Sequence, residues 1–121
     1  MSDRFWWWPF GSVPEIPATV LKQLIDRGPG LQLIDVRSAG EFAAGHIKGA
    51  INVPVNQLRS ALPTLKLDPD RPVIAICATA HRSPPAVRLL KRAGFDAKQL
   101  QSGMIAWQRA RLPITKNKGA R

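Results

Sequence analysis

Val73-Ile74-Ala75-Ile76-Cys77-Ala78-Thr79-Ala80-His81-Arg82-Ser83-Pro84 is the stretch that decides the fold. Its first part is apolar without alternation and rich in β-branched residues. That pattern predicts a strand buried on both faces, with the only cysteine of the chain at its carboxyl end. A short polar loop follows. Ser83 is then a good N-cap and Pro84 a good first helical residue, and Ala86, Leu89, Leu90 and Ala93 recur at helical spacing before Gly94. Strand, loop and helix in this order aim the positive end of a helix at Cys77, where ligands of open α/β sheets bind. Helix-end N–H groups, Arg82 and a protonated His81 all favour the thiolate, which is the nucleophilic form of cysteine. The competing role is a small buried hydrophobe that finishes a strand.

Outward from this stretch, strands and helices alternate. Val13 to Ile16 reads as a short edge strand, because Pro14 is tolerated there and not in a sheet centre. Thr19 is the expected cap of a helix over Val20 to Arg27, with Val20, Leu21, Leu24 and Ile25 on its apolar face. Leu31 to Val36 is the next strand, Gly40 to Ala44 a short helix, and Ala50 to Pro54 a third strand. Leu58 to Leu65 reads as helical and broken at Pro63, and Asp68 to Pro72 as a loop into the central strand. Ala97 to Gln101 makes a fifth strand. A last helix, opened by Ser102-Gly103 and running to Arg109, is expected to bury Ile105 and Trp107 or their neighbours. The predicted class is α/β: a largely parallel five-stranded sheet with helices on both faces.

The 121 residues fit one domain of roughly residues 13–114, between an aromatic arm (1–12) and a basic tail (115–121). The arm holds Phe5-Trp6-Trp7-Trp8-Pro9-Phe10, five of the chain's eight aromatic residues. It reads as a cover over the domain, or as an interface with a membrane surface or second subunit. One cysteine forbids an internal disulfide, and with two histidines it gives too few ligands for a structural zinc, so no metal is expected. A reducing cytoplasm is the expected setting. No apolar run approaches the roughly 20 residues of a membrane-spanning helix.

The net charge of +10 is uneven: residues 81–121 carry ten Lys or Arg against the single Asp96. Such a region concentrates small anions or steers an acidic protein partner. It is compatible with nucleic acid too, a less favoured partner, and the tail alone reads as simply solvated.

Several segments together are similar to the single-domain rhodaneses, the thiosulfate sulfurtransferase family. Asp35-Val36-Arg37, Glu41-Phe42 and Gly45-His46-Ile47-Lys48-Gly49-Ala50-Ile51-Asn52-Val53-Pro54 resemble the family's first signature. Cys77 with Arg82-Ser83 resembles its active-site loop. Ala93-Gly94-Phe95, Gly103, Ala106-Trp107 and Leu112-Pro113 resemble its C-terminal pattern. The resemblance implies the rhodanese fold and a catalytic Cys77 that takes a sulfane sulfur as a persulfide and passes it on. The small anionic donor would be bound by the loop Ala78, Thr79, Ala80, His81, Arg82 and Ser83, and thiosulfate or a persulfide would serve. Cyanide or a thiol would be the acceptor, and no cofactor is required.

In the related Cys-based phosphatases and arsenate reductases five residues separate cysteine from arginine. Four do here, Ala78 to His81, a tighter loop that suits a sulfur atom better than phosphate. The non-enzymatic alternative is a binding or sulfur-relay module that docks an acidic protein or RNA through its basic face. Three positions depart from the family pattern, with Ala80, Ser102 and Arg111 standing where glycine is usual, and Pro84 and Pro85 remove two helix-start donors. Asp35, Arg37, Glu41 and His46 read as groups that pin loops.

Overall fold

Strands and helices alternate along the chain in a computed structural model, which describes residues 13–80 and 83–116. In order they are β1 (Glu15–Ile16), α1 (Ala18–Asp26), β2 (Gln32–Asp35), α2 (Ala39–Ala44), β3 (Ile51–Asn52) and α3 (Leu58–Ala61). β4 (Val73–Ile76), α4 (Ser83–Arg92), β5 (Ala97–Leu100) and α5 (Gly103–Arg109) complete the set. Single 3-10 turns, Val55–Gln57 and Leu62–Thr64, flank α3, and Pro63 lies in the second, which ends the helical run where proline was expected to break it. The aromatic arm, His81, Arg82 and residues 117–121 lie outside the described residues.

All strand pairs are parallel, in the order β1-β5-β4-β2-β3. All four residues of β4 are buried, as a central parallel strand with helices on both faces requires. Because side chains alternate along each strand, two apolar layers form. One sets Ile34, Val36, Val73, Ala75, Cys77 and Ala97 against Leu58 of α3 and Ala86, Val87 and Leu90 of α4. The other sets Leu33, Ile74, Ile76 and Leu100 against Leu21 of α1, Phe42 of α2, and Met104 and Trp107 of α5. The indole of Trp107 is 1 % exposed and donates from Nε1 to the carbonyl of Pro113 at 2.9 Å. That bond holds the segment that returns to pair Thr115 with His46, within the stretch expected as tail.

The helical phases differ from those read in the sequence. α1 begins at Ala18 behind Pro17, whose ring fixes the entry, so Thr19 lies inside the helix and Val20 is exposed. Starting α4 at Ser83 puts Ser83, Ala86, Val87 and Leu90 on the sheet, while Leu89 is half-buried and Ala93 is exposed. In α5 the buried pair is Met104 and Trp107, and Ile105 is exposed.

The signature residues around β2 form a buried polar lock. Arg37 makes a two-pronged ion pair with Asp35, 2.7 Å at the closest, and donates to the carbonyl of Gly45 at 2.7 Å. Asn52 donates to the carbonyls of Asp35 and Arg37. His46 donates from Nδ1 to the carbonyl of Phe42 at 2.7 Å and stacks on the Phe42 ring. Glu41 closes a capping box with Ser38 at the start of α2. Removing one member of such a pair leaves a buried charge unpaired. Arg37→Ala is therefore expected to lower unfolding free energy by about 3–5 kcal/mol, read from urea denaturation.

Candidate functional site

β2 connects toward the β3 edge and β4 toward the β5 edge, so neighbouring connections diverge at the carboxyl ends of β2 and β4. That divergence is the switch point at which open α/β sheets form their ligand crevice. Cys77 follows β4 at this point. It is 1 % exposed and belongs to the same apolar layer as Val53, Ala75, Ala86 and Val87.

Two helices meet the backbone here. α4 starts at Ser83, after the loop. α5 approaches from the other face, and its first-turn amides close on the loop's beginning: Met104 N–H donates to the carbonyl of Cys77 at 2.8 Å and Ile105 N–H to that of Ala78 at 3.0 Å. These bonds satisfy helix-start donors and strand-end acceptors together. The approach requires Gly103. A Cβ there would lie 2.3 Å from the Cys77 oxygen and 2.6 Å from the Ala78 carbonyl, at a φ of +59°.

The three positions where the sequence lacks an expected glycine all adopt a left-handed backbone: Ala80 at φ 68°, Ser102 at 56° and Arg111 at 58°. Each carries a local strain on the order of 1 kcal/mol that the surrounding fold sustains. Of the loop residues read from the sequence, Ala78 and Ala80 are half-buried and Thr79 is exposed. His81 and Arg82 fall outside the described residues.

Ser83 departs from its expected part as N-cap. It is the first helical residue, fully buried, and its hydroxyl lies 3.3 Å from Cys77 Sγ while donating to Gln99 Oε1 at 2.6 Å. Gln99, 4 % exposed, passes the contact outward by donating from Nε2 to Glu15 Oε2 at 2.7 Å. The sheet register explains the meeting, because Ala75, Gln99 and Glu15 are abreast on neighbouring strands and share a face with Cys77. Neither Gln99 nor Glu15 stood out in the sequence. The available signal was parity, since Gln99 is two residues beyond Ala97 on a strand that buries both.

Residues 17–110 match the family model of the rhodanese-like domain. The chain is 40 % identical over 104 residues to an HTH-type transcriptional regulator of Mycobacterium tuberculosis, taking in 84 % of this chain and 45 % of that protein. It is 31 % identical over 108 residues to a sulfurtransferase of Allochromatium vinosum, with 88 % of this chain and 99 % of the relative covered. A rhodanese-related protein from Thermoplasma volcanium has a solved structure that superposes with a TM-score of 0.76 at 28 % identity, covering 84 % of this chain and 97 % of that one. The chain spans less than half the length of the first curated relatives it matches.

Gly103 and Gly94 separate steric closeness from backbone strain, since both have positive φ but nothing lies within 4 Å of a Cβ at Gly94. Gly94→Ala is expected to cost about 1–2 kcal/mol. Gly103→Ala should cost at least about 2 kcal/mol more, because the clash falls on backbone. Urea unfolding of the two variants measures the difference.

Proposed function

Because the chain belongs to the rhodanese-like domain family, we propose that it is a sulfurtransferase in which Cys77 carries the sulfur. Relatives of comparable length that are named sulfurtransferases support the reaction class. The single observation that carries the residue assignment is the seat of Cys77: the chain's only cysteine, at the sheet's switch point, between the starts of α4 and α5.

The thiolate of Cys77 attacks the outer sulfur of thiosulfate. The S–S bond of the donor breaks, a new Sγ–S bond forms, and sulfite leaves with the electron pair. Cyanide then attacks the terminal sulfur of the persulfide, thiocyanate departs, and the thiolate is restored. A thiol acceptor takes the sulfur in the same way as its own persulfide. Neither half-reaction needs an external oxidant, reductant, metal or organic cofactor. N–H groups of residues 78–83 are the natural holders of the terminal sulfur anion, and Arg82 of the donor's charge. With no second cysteine in the sequence, the acceptor comes from outside. The burial of Cys77 favours donors that present sulfur at a narrow tip. Among the described residues no helix is long and apolar enough to cross a membrane.

A second element of the proposal concerns a partner. Between the 3-10 turn, α3 and α4 runs a groove of about 410 Å³ with an apolar floor of Val55, Pro85, Ala86 and Leu89. Arg59, Arg88 and Arg92 rim it, and this chemistry fits an acidic protein segment that delivers or collects sulfur.

Intact-mass spectrometry tests the reaction. Thiosulfate is expected to add one sulfur to the wild type and none to Cys77→Ser, and cyanide to remove it. A wild type that gains no sulfur from thiosulfate or from glutathione persulfide refutes the carrier. For the partner, a glutamate-rich peptide is expected to bind with an affinity that falls steeply with salt. The doubly substituted Arg59→Glu, Arg92→Glu protein should bind it at least about tenfold more weakly, with transfer from thiosulfate unchanged.

A further inference from the structure

The hydrogen bonds from Glu15 to Cys77 have a direction, and the direction has a chemical consequence. A carboxylate only accepts, so ionised Glu15 turns the amide of Gln99 with Nε2 toward itself, 2.7 Å away. Gln99 Oε1 is thereby left facing Ser83, and it takes the hydroxyl proton at 2.6 Å. Serine has one such proton. What Ser83 presents to Cys77 Sγ, 3.3 Å away, is therefore a lone pair. That arrangement suits a thiol, which donates its S–H to Ser83 Oγ, and it repels a thiolate.

We propose that Glu15 is a positioning residue that sets how readily Cys77 loses its proton, acting through Gln99 and Ser83. The proposal rests on Cys77 as the reacting group. In the thiol form the donors run outward, from S–H to Ser83, from Ser83 to Gln99 and from Gln99 to Glu15. In the thiolate form they run inward. Ser83 O–H turns to Sγ, the amide of Gln99 turns over to donate to Ser83, and Oε1 is left facing the Glu15 carboxylate, acceptor against acceptor, which opposes the turn. The proton that leaves Cys77 goes to solvent base, with no change in oxidation state. Glu15 is exposed at the sheet edge while Ser83 and Gln99 are buried, so the chain links a solvated carboxylate to a thiol that solvent does not reach.

Other charges near this line are accounted for. Asp35 on β2 is closed in its pair with Arg37, and Lys98 pairs with Asp96 and projects from the opposite face of β5. Arg88 is exposed on α4, and α5 brings uncharged Gly103 and Met104. Beside Glu15, Gln101 Nε2 stands 3.5 Å from Oε1. His81 and Arg82 adjoin Ser83 in sequence and are the same in every variant below.

The chain is suited to the test. With one cysteine and no tyrosine, its pH-dependent thiolate absorbance in the ultraviolet reports Cys77 alone. Titration of the full chain, with no sulfur donor present, is compared with Glu15→Gln, Gln99→Leu and Ser83→Ala. A glutamine at 15 can donate to Gln99 Oε1 and so accommodates the inward arrangement. Glu15→Gln is expected to make Cys77 about tenfold more acidic, a midpoint roughly one pH unit lower. Gln99→Leu releases the Ser83 proton toward sulfur and shifts the midpoint the same way. Ser83→Ala cuts the chain, so adding Glu15→Gln to Ser83→Ala is expected to leave the midpoint of Ser83→Ala unchanged. A merely structural role for Glu15, or a direct effect of its charge, would shift the midpoint by the same amount with Ser83 present or absent. A Glu15→Gln midpoint that is unchanged or raised overturns the proposal, as does a Glu15→Gln shift that persists in full in the Ser83→Ala protein. Because thiolate formation is read without sulfur transfer, a chain that shifts as expected but accepts no sulfane sulfur would refute the sulfurtransferase reading and leave the coupling intact.

Discussion

A parallel strand that ends inside a protein leaves its last carbonyls beyond the sheet ladder, and each needs a partner. At the end of β4 these are the carbonyls of Cys77 and Ala78, and the amides of Met104 and Ile105 supply the bonds. One exchange thus caps α5, ends β4 and fixes where Cys77 stands. It works only because residue 103 has no side chain to hold the two backbones apart. The buried indole of Trp107, one helical turn on, packs α5 against the sheet and keeps that approach in place. Cys77 is therefore placed by backbone geometry, on which its own side chain has little influence.

The second support of the carboxyl end of the sheet is ionic. Asp35 and Arg37 flank the end of β2, the strand beside β4, and their pair reaches across to the carbonyl of Gly45 while Asn52 bridges the backbone below. Buried ion pairs contribute little net stability compared with apolar packing, but they tolerate few alternative geometries. Here the gain is in register between β2, β3 and the loops that follow them. Residues with the look of a catalytic charge cluster thus hold the frame.

Legibility in the sequence followed the range of the interactions. The strand Val73 to Ile76 was plain because a strand buried on both faces needs an unbroken apolar run, and the signature around Asp35-Val36-Arg37 was plain because its partners are near in sequence. Helical phase was less secure. One residue of difference in where α4 begins exchanges Leu89 and Ala93 for Val87, and in α5 the same uncertainty left Ile105 and its neighbours open, of which Met104 is the one buried. The line from Cys77 to Glu15 could not be read at all. It joins residues 84 positions apart at its outer link, and only strand order and register bring them side by side. A buried glutamine in a short strand looks, in sequence, like an exposed one.

The basic third of the chain also reads differently once its residues have places. Lys91 and Arg92 occupy the last turn of α4, and Arg109 the last turn of α5, where cations complement the negative end of each helix. α4 has ten residues, so its basic end lies about 15 Å from its start, beyond the roughly 8 Å over which exposed charges act at physiological salt. Net charge therefore has little direct hold on the sulfur atom. Attraction for an anion at Cys77 has to come from the two helix starts and the loop between Cys77 and Ser83. On the proposed reading the distant arginines act earlier, on the approach and docking of whatever brings the sulfur. Recognition of a partner by Arg59, Arg88 and Arg92 and stabilisation of a charged sulfur by the loop are on that reading separable, carried by different groups around the same helix.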